Sequence, residues 1–242
     1  MEVLILLFYY DRPEIVKNAI HSIKNQTYKN FKVAFIDDGS IFSGKSIVEK
    51  ELGNDPILDK FLFYSTFDSP QDKENQGGSN MGKSANQAMG QIDSDITLIL
   101  CDDDALMPGY LEYLNEFFQL NSEVTHCYSK LLFYNPSKET YIQGTETSSY
   151  NHPGSTYNGL NGYEGPKPCS GFDASQVAWR TSCNVSFPYP QTRALDSVIY
   201  TQLRDYGLCY PTNIYGQVKG AFQDQLGNRW VEGKNEFKVN IS

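Results

Sequence analysis

Asp102, Asp103 and Asp104 stand together after the apolar run Ile96-Thr97-Leu98-Ile99-Leu100-Cys101 and just before Pro108-Gly109, where a helix is expected to begin. Unit charges about 5 Å apart repel by roughly 1 kcal/mol in water and by several times that at a half-buried site. In an extended chain Asp102 and Asp104 point to one side, about 6–7 Å apart, and Asp103 to the other. A divalent cation that prefers oxygen, Mg2+ or Mn2+, relieves this repulsion and usually brings a phosphate with it. The bland alternative is a solvated acidic loop in which Asp104 caps the next helix. Their place at the carboxyl end of a strand, where open α/β sheets take their ligands, favours the metal.

Two other strand ends deliver polar residues: Tyr10-Asp11-Arg12 after the first, and Asp37-Asp38-Gly39-Ser40 after the second. In a parallel sheet the three clusters share one edge and converge. Tyr10 can stack a nucleobase, and Asp38 can accept a hydrogen bond from a base N–H or a ribose hydroxyl. Taken singly, Tyr10 is equally well ordinary sheet packing, and Asp38-Gly39-Ser40 an ordinary turn. Their joint placement is harder to obtain from those readings.

The elements that must position these residues are strands and helices in alternation. Val3–Tyr9, Phe31–Ile36, Phe61–Ser65 and Ile96–Cys101 read as strands. Between them, Asp11-Arg12-Pro13 opens a helix with Ile15, Ala19, Ile20 and Ile23 on its apolar face. Further helices are expected around Ser46–Leu52, around Ala85, Ala88 and Met89, and over Tyr110–Leu120. This is the pattern of an α/β, Rossmann-like, mostly parallel sheet with right-handed crossovers. After Phe133 the pattern is lost. Residues 134–171 are rich in Gly, Tyr, Ser, Asn and Pro and read as a long loop. Gln176–Thr181 reads as a short helix, and Ala194–Tyr206 as a longer one ended by Gly207. The last 30 residues mix short strand-like pieces with polar turns. The expected organisation is one domain over 1–242, a nucleotide-binding half at 1–120 and an irregular half at 121–242.

Bulk properties exclude several classes. A net charge of −9 disfavours a nucleic-acid groove or attachment to anionic lipid. No run approaches the roughly 20 apolar residues of a membrane span. The Val3–Tyr10 run lacks the basic start and cleavage site of a signal peptide. Five scattered cysteines (101, 127, 169, 183 and 209) fit free thiols in a reducing compartment. The reading is a soluble cytoplasmic protein. Gly77–Ser84 fits the phosphate-binding pattern G-x4-G-K-S. However, Asp72-Lys73-Glu74-Asn75-Gln76 stands where that loop needs a hydrophobic strand.

Phe8-Tyr9-Tyr10-Asp11-Arg12-Pro13-Glu14, the run Ser22-Ile23-Lys24-Asn25-Gln26-Thr27-Tyr28 and Ile36-Asp37-Asp38-Gly39-Ser40 together resemble the opening of the family 2 (GT-A fold) nucleotide-sugar glycosyltransferases. Gly82–Asn86, Asp102–Asp104 and Pro108–Leu111 continue the resemblance, which covers residues 3–120 well and 173–207 loosely. It implies that Tyr10 and Asp38 hold the nucleoside, with Asp11, Arg12, Lys83 and Asn86 beside it. It also implies a DxD motif for ribose, diphosphate and metal, with Asp102 and Asp103 on the donor and Asp102 and Asp104 on Mn2+ or Mg2+. Asp11 departs from the Asn common at its place, and Cys101 from an acidic residue. The family's late metal-binding histidine has no counterpart after His152.

The resemblance further implies a catalytic base in a Glu-Asp pair near the start of a late helix. Here the pair reads Leu195-Asp196, which leaves Asp196 as the base. An aspartate in a first helical turn also gains about 0.3–1 kcal/mol from the helix dipole without any catalysis. Asp173 either lines the acceptor side or caps a helix. The implied activity is metal-dependent, inverting transfer of a sugar from a nucleotide diphosphate donor, UDP first, to a hydroxyl of a glycan or glycoconjugate, with 134–171 as an acceptor-side lid. The competing readings are a P-loop NTPase, a non-catalytic glycan- or nucleotide-binding module on the same scaffold, and nucleotidyl transfer.

Overall fold

The structure, a computed structural model, describes residues 1–67, 72, 80–135, 140–143, 173–189, 195–203, 205–206, 209–220 and 236–237. Its first half alternates β1 (Val3–Tyr9), α1 (Val16–Lys24), β2 (Phe31–Asp37), α2 (Gly44–Leu52), β3 (Phe61–Ser65), α3 (Met81–Gln91) and β4 (Ile96–Cys101). These four strands lie parallel in the order β3-β2-β1-β4. All seven residues of β1 are buried, as expected of a parallel strand covered on both faces. Alternation divides its side chains between two cores. Val3, Ile5, Leu7 and Tyr9 pack with Val16, Ala19, Ile20 and Ile23 of α1. Leu4, Leu6 and Phe8 pack with Ala85 and Ala88 of α3 on the other face.

The second half adds β5 (Asp104–Leu106), α4 (Tyr110–Leu120), β6 (His126–Asn135), β7 (Thr140–Gln143), β8 (Val177–Arg180), α5 (Leu195–Leu203), β9 (Cys209–Lys219) and β10 (Glu236–Phe237). Strand β8 joins β4 to β6, antiparallel to each. Strand β9 pairs with β6 in parallel and with β5 in the opposite sense. Among the described residues the result is a ten-stranded mixed sheet, parallel on one side from β4 through β1 and β2 to the β3 edge and mixed on the other.

The strands Val3–Tyr9, Phe61–Ser65 and Ile96–Cys101 and the helix Tyr110–Leu120 have the bounds their periodicity predicts. Four expectations are corrected. Helix α1 begins at Val16 and not at Asp11–Pro13. Asp11 sits at φ 47°, in the left-handed region, and the Arg12 carbonyl takes the N–H groups of Ile15 and Val16 in a turn. Gln176–Thr181 is no helix, because Val177–Arg180 forms β8 between 3-10 turns at Ala174–Gln176 and Thr181–Cys183. Val177 and the fully buried Trp179 favour a strand, and β8 pairs with both β4 and β6. Within the expected 134–171 loop, β6 continues to Asn135 and Thr140–Gln143 pairs back on it as β7. The rest of that segment, like Gly77–Ser79 and Gly207, lies outside the described residues. Finally, the start of the last 30 residues belongs to one 11-residue strand, β9. Its Pro, Gly and shifts of register against β6 between Tyr128 and Leu131 hide the alternation. Among the described residues no helix is long and apolar enough to cross a membrane.

Candidate active site

Strand register builds the site. Tyr9 pairs with Asp37, and Phe8 with Cys101, so Tyr10, Asp38 and Asp102 leave the sheet side by side at one edge. The three polar strand ends converge there, as the parallel pattern requires. Tyr10 is 46% exposed. Its backbone N–H donates to Asp102 Oδ2 at 3.1 Å.

The triad does not continue the strand. Asp102 and Asp103 form a turn, and Asp104 begins β5. The two-residue alternation expected of an extended chain therefore fails, and so does the helix-cap reading of Asp104, since α4 begins only after Gly109. Arg12 donates from Nη1 to Asp102 Oδ1 at 3.1 Å and to Asp103 Oδ2 at 2.8 Å. Asp104 is 2% exposed, and its Oδ1 accepts the Gly220 N–H at 3.1 Å. Carboxylate oxygens of Asp103 and Asp104 and the Cys101 sulfur lie within 4.8 Å of one another, a group that does not include Asp102. Asp103, which alternation turned away, thus faces Asp104.

Burial dominates the electrostatics of these carboxylates. Burial pushes the Asp102 carboxyl up to about 6 against the opposing Tyr10 N–H and Arg12. Burial pushes Asp104 up to about 8, outweighing Lys219, whose Nζ stands 3.8 Å from Asp104 Oδ2. That Oδ2 is buried and accepts no hydrogen bond. Burial, with Asp104 beside it, also holds the Cys101 thiol well above its usual range, so sulfur is a poor donor to a hard cation here. The donor set that fits Mg2+ or Mn2+ is the Asp103–Asp104 carboxylate pair. Such ions complete their shell with water and phosphate oxygens.

Lys219 and Gly220 are the site residues that sequence reasoning missed. The available signal was a strand ending in a cation and a glycine, Gln217-Val218-Lys219-Gly220, the electrostatic complement of a strand ending in carboxylates. The Lys219 ammonium also bonds Asp173. Asp173 caps the 3-10 turn that precedes β8, in a capping box with Gln176.

The remaining predicted residues divide. Asp38 is 1% exposed and accepts the Asn80 N–H at 3.3 Å, at the entry to α3. Asp11 Oδ1 accepts the N–H groups of Ile41 and Phe42 at 2.7 and 3.1 Å, and so holds the loop after β2. Lys83 is exposed in the first turn of α3. Both polar atoms of the Asn86 amide bond the Phe187 backbone, at 2.8 Å each. A Cβ on Gly82 would lie 2.7 Å from the Pro188 carbonyl oxygen. Gly82 therefore permits close packing of α3 on the 187–188 segment. A cleft of about 320 Å³, lined by Asp37, Ser40, Ser43, Lys45, Tyr64 and Phe67 among others, opens between the ends of β2 and β3. Asp196 is the second residue of α5.

The comparisons agree with this geometry. The family description "Glycosyl transferase family 2" matches residues 4–172. A GalNAc(5)-diNAcBac-PP-undecaprenol beta-1,3-glucosyltransferase of Campylobacter jejuni is 27% identical over 143 residues, 58% of this chain and 42% of that protein. The crystal structure of S. aureus TarS 1-349 in complex with UDP-GlcNAc superposes with a TM-score of 0.67 at 16% identity, over 94% of this chain and 61% of that one. The mannosyltransferase PcManGT from Pyrobaculum calidifontis, in complex with GDP-Man and Mn2+, superposes at 0.61 and 12% identity, over 92% of this chain and 57% of that one. This chain spans less than two thirds of the length of each of these proteins. With the family match covering more than half of its residues, on an α/β sheet whose parallel strand ends carry the polar clusters, the chain belongs to glycosyl transferase family 2.

Proposed function

We propose that this chain is a metal-dependent, inverting glycosyltransferase that moves a sugar from a nucleotide diphosphate donor, UDP first, to a hydroxyl of a glycan or glycoconjugate. The observation that carries the reading is the single edge shared by Tyr10, Asp38 and Asp102–Asp104. Tyr10 stacks the base and Asp38 takes the nucleoside's hydrogen bonds. Asp11 supports that end through the 41–42 loop, and Lys83 and Asn86 flank it on α3. Arg12, held by Asp102 and Asp103, would meet the diphosphate from the parallel side. Asp103 and Asp104 would hold Mn2+ or Mg2+, which when bound supplies positive charge to the departing diphosphate.

In the transfer step the acceptor oxygen forms its bond to the anomeric carbon as the bond from that carbon to the diphosphate oxygen breaks. Asp196 takes the hydroxyl proton. Its place in the first turn of α5, with the family resemblance, supports this role. The Campylobacter relative is named for an acceptor that is a glycan on undecaprenyl diphosphate, which supports a glycoconjugate here. The free thiols Cys101, Cys127 and Cys183 support a cytoplasmic setting.

The test is thermal shift against UDP, GDP, CDP and dTDP, each with and without Mn2+. Stabilisation by UDP that needs Mn2+ is the expected result. Preference for another base reassigns the donor, and no response to any of them sinks the reading. Transfer retained in Asp196→Asn removes Asp196 as base. Leu195, where the resemblance places Glu, motivates one second reading, a binding module without catalysis. Tight donor binding with neither transfer nor slow donor hydrolysis would favour it.

A further inference from the structure

Lys219 ends β9, and its backbone pairs directly with Asp104 across the ladder. Gly220 follows at φ 49°, in the left-handed region, which lets its N–H turn onto Asp104 Oδ1. Among the described residues two carboxylates face the Lys219 ammonium: Asp173, which it bonds, and Asp104, with Oδ2 at 3.8 Å. Asp173 is fixed in turn, its Oδ1 accepting the Ser175 N–H at 3.1 Å and the Ser175 hydroxyl at 2.6 Å. The ammonium is therefore tethered on one side and stands just beyond hydrogen-bond reach of Asp104 Oδ2, the buried oxygen that accepts no hydrogen bond. Arg12 serves Asp102 and Asp103, and Lys219 serves Asp104 and Asp173.

We propose that Lys219 is a charge gate on the cation site. Its ammonium, anchored on Asp173, opposes a divalent cation at Asp103 and Asp104 until a nucleoside diphosphate brings compensating negative charge. Cation and nucleotide then bind as a pair. A fixed unit charge about 4 Å from a cation's ligand is among the strongest local terms such a site can contain. The inference rests on the cation site proposed above and adds to it a residue that makes cation uptake depend on nucleotide.

The test is Mn2+ binding to the full chain, read by electron paramagnetic resonance from the signal of the free ion, alone and with UDP or GDP. The wild type should bind Mn2+ weakly alone and roughly 30-fold or more tightly with the nucleotide it accepts. Lys219→Met should raise the nucleotide-free affinity roughly tenfold or more and shrink the nucleotide effect. Lys219→Arg, which keeps the charge, should resemble the wild type. Asp173→Asn, which releases the ammonium toward Asp104, should weaken Mn2+ binding; this variant decides the matter if Lys219→Met does not fold. Unchanged Mn2+ affinity in Lys219→Met, or in Asp173→Asn where that variant decides, overturns the gate while leaving the cation site standing. A wild type that binds no Mn2+ with either nucleotide overturns both.

Discussion

Asp102 and Asp104 are two residues apart, yet opposite halves of the molecule hold them. Asp102 is gripped from the parallel half, by the Tyr10 N–H and the half-exposed Arg12. Asp104 is gripped from the antiparallel half, by Gly220 and Lys219 at the end of β9. The first grip is wet at one end and comes from the turn after β1, whose neighbour β4 leads into Asp102. The second is dry and depends on strand pairing across more than a hundred residues of chain. Charge in the dry grip is costlier and more responsive to a ligand, because little water screens it. Asp104 is thus the more consequential carboxylate, and the two can be set against each other by matched substitutions.

The largest contrast is expected in transfer itself. Asp104→Asn should reduce turnover roughly a thousand-fold, about 4 kcal/mol, by removing half of the proposed cation pair. Asp102→Asn, outside that pair, should cost roughly ten- to a hundred-fold. Steady-state transfer at saturating Mn2+ measures both. Equal losses would erase the distinction between the two grips.

Stability should move the other way. The raised Asp104 carboxyl binds its proton more tightly in the folded chain than in the unfolded one. Between pH 4 and about 8 the folded state therefore holds more protons, and stability falls as pH rises through that window. Asp104→Asn escapes this loss. In metal-free protein it should be more stable than wild type by an order of a few kcal/mol at pH 8.5, and no more stable near pH 4. For Asp102, raised only to about 6 and losing its Arg12 pair, the same substitution should gain far less. Urea denaturation in chelator at the two pH values separates them, and a wild type whose stability rises from pH 5 to 8 would contradict the assignment.

The same division explains what could be read from the chain alone. β1, β3, β4 and α4 have apolar runs whose bounds the structure reproduces, and β1 and β4 are buried almost throughout. Tyr10, Asp38 and the triad were legible because parallel strands put their carboxyl ends on one edge. The Asp103–Asp104 partnership was not, since it needs the turn after Cys101, which only the pairing of β5 with β9 dictates. Lys219 was not legible for the same reason. Its strand carries Pro211 and Gly216 and slips register against β6, so its alternation is broken where a reader would look for it. Trp179 makes the point from the core. A segment read as helix becomes a strand because β4 and β6 both need a partner there.

A smaller effect is expected on the wet side. Arg12 is 47% exposed at its side chain, so its ion pairs are screened and contribute little to stability. Arg12→Gln should leave the unfolding midpoint within about 0.5 kcal/mol of wild type. Facing the proposed diphosphate, the same change should raise the donor KM roughly tenfold at low salt. The penalty should shrink as NaCl is raised toward 1 M. A penalty independent of salt would mean that Arg12 is as dry as Lys219.

The smallest effect marks where the donor edge ends. Asp11 Oδ1 is committed to the Ile41 and Phe42 N–H groups, and the residue sits at φ 47°. Asp and Asn both tolerate that left-handed backbone, and both present an acceptor oxygen there. Asp11→Asn should therefore keep stability within about 0.5 kcal/mol and leave the donor KM nearly unchanged. Asp11→Val loses the acceptor and puts a β-branched residue at positive φ, at a cost of roughly 2–3 kcal/mol. Denaturant midpoints and donor kinetics on the pair distinguish two roles for this carboxylate. If its charge met the nucleoside directly, Asp11→Asn would change donor affinity while leaving stability alone. If it acts by fixing the loop, only Asp11→Val disturbs both, and the resemblance's Asn at this place becomes a conservative exchange of one loop anchor for another.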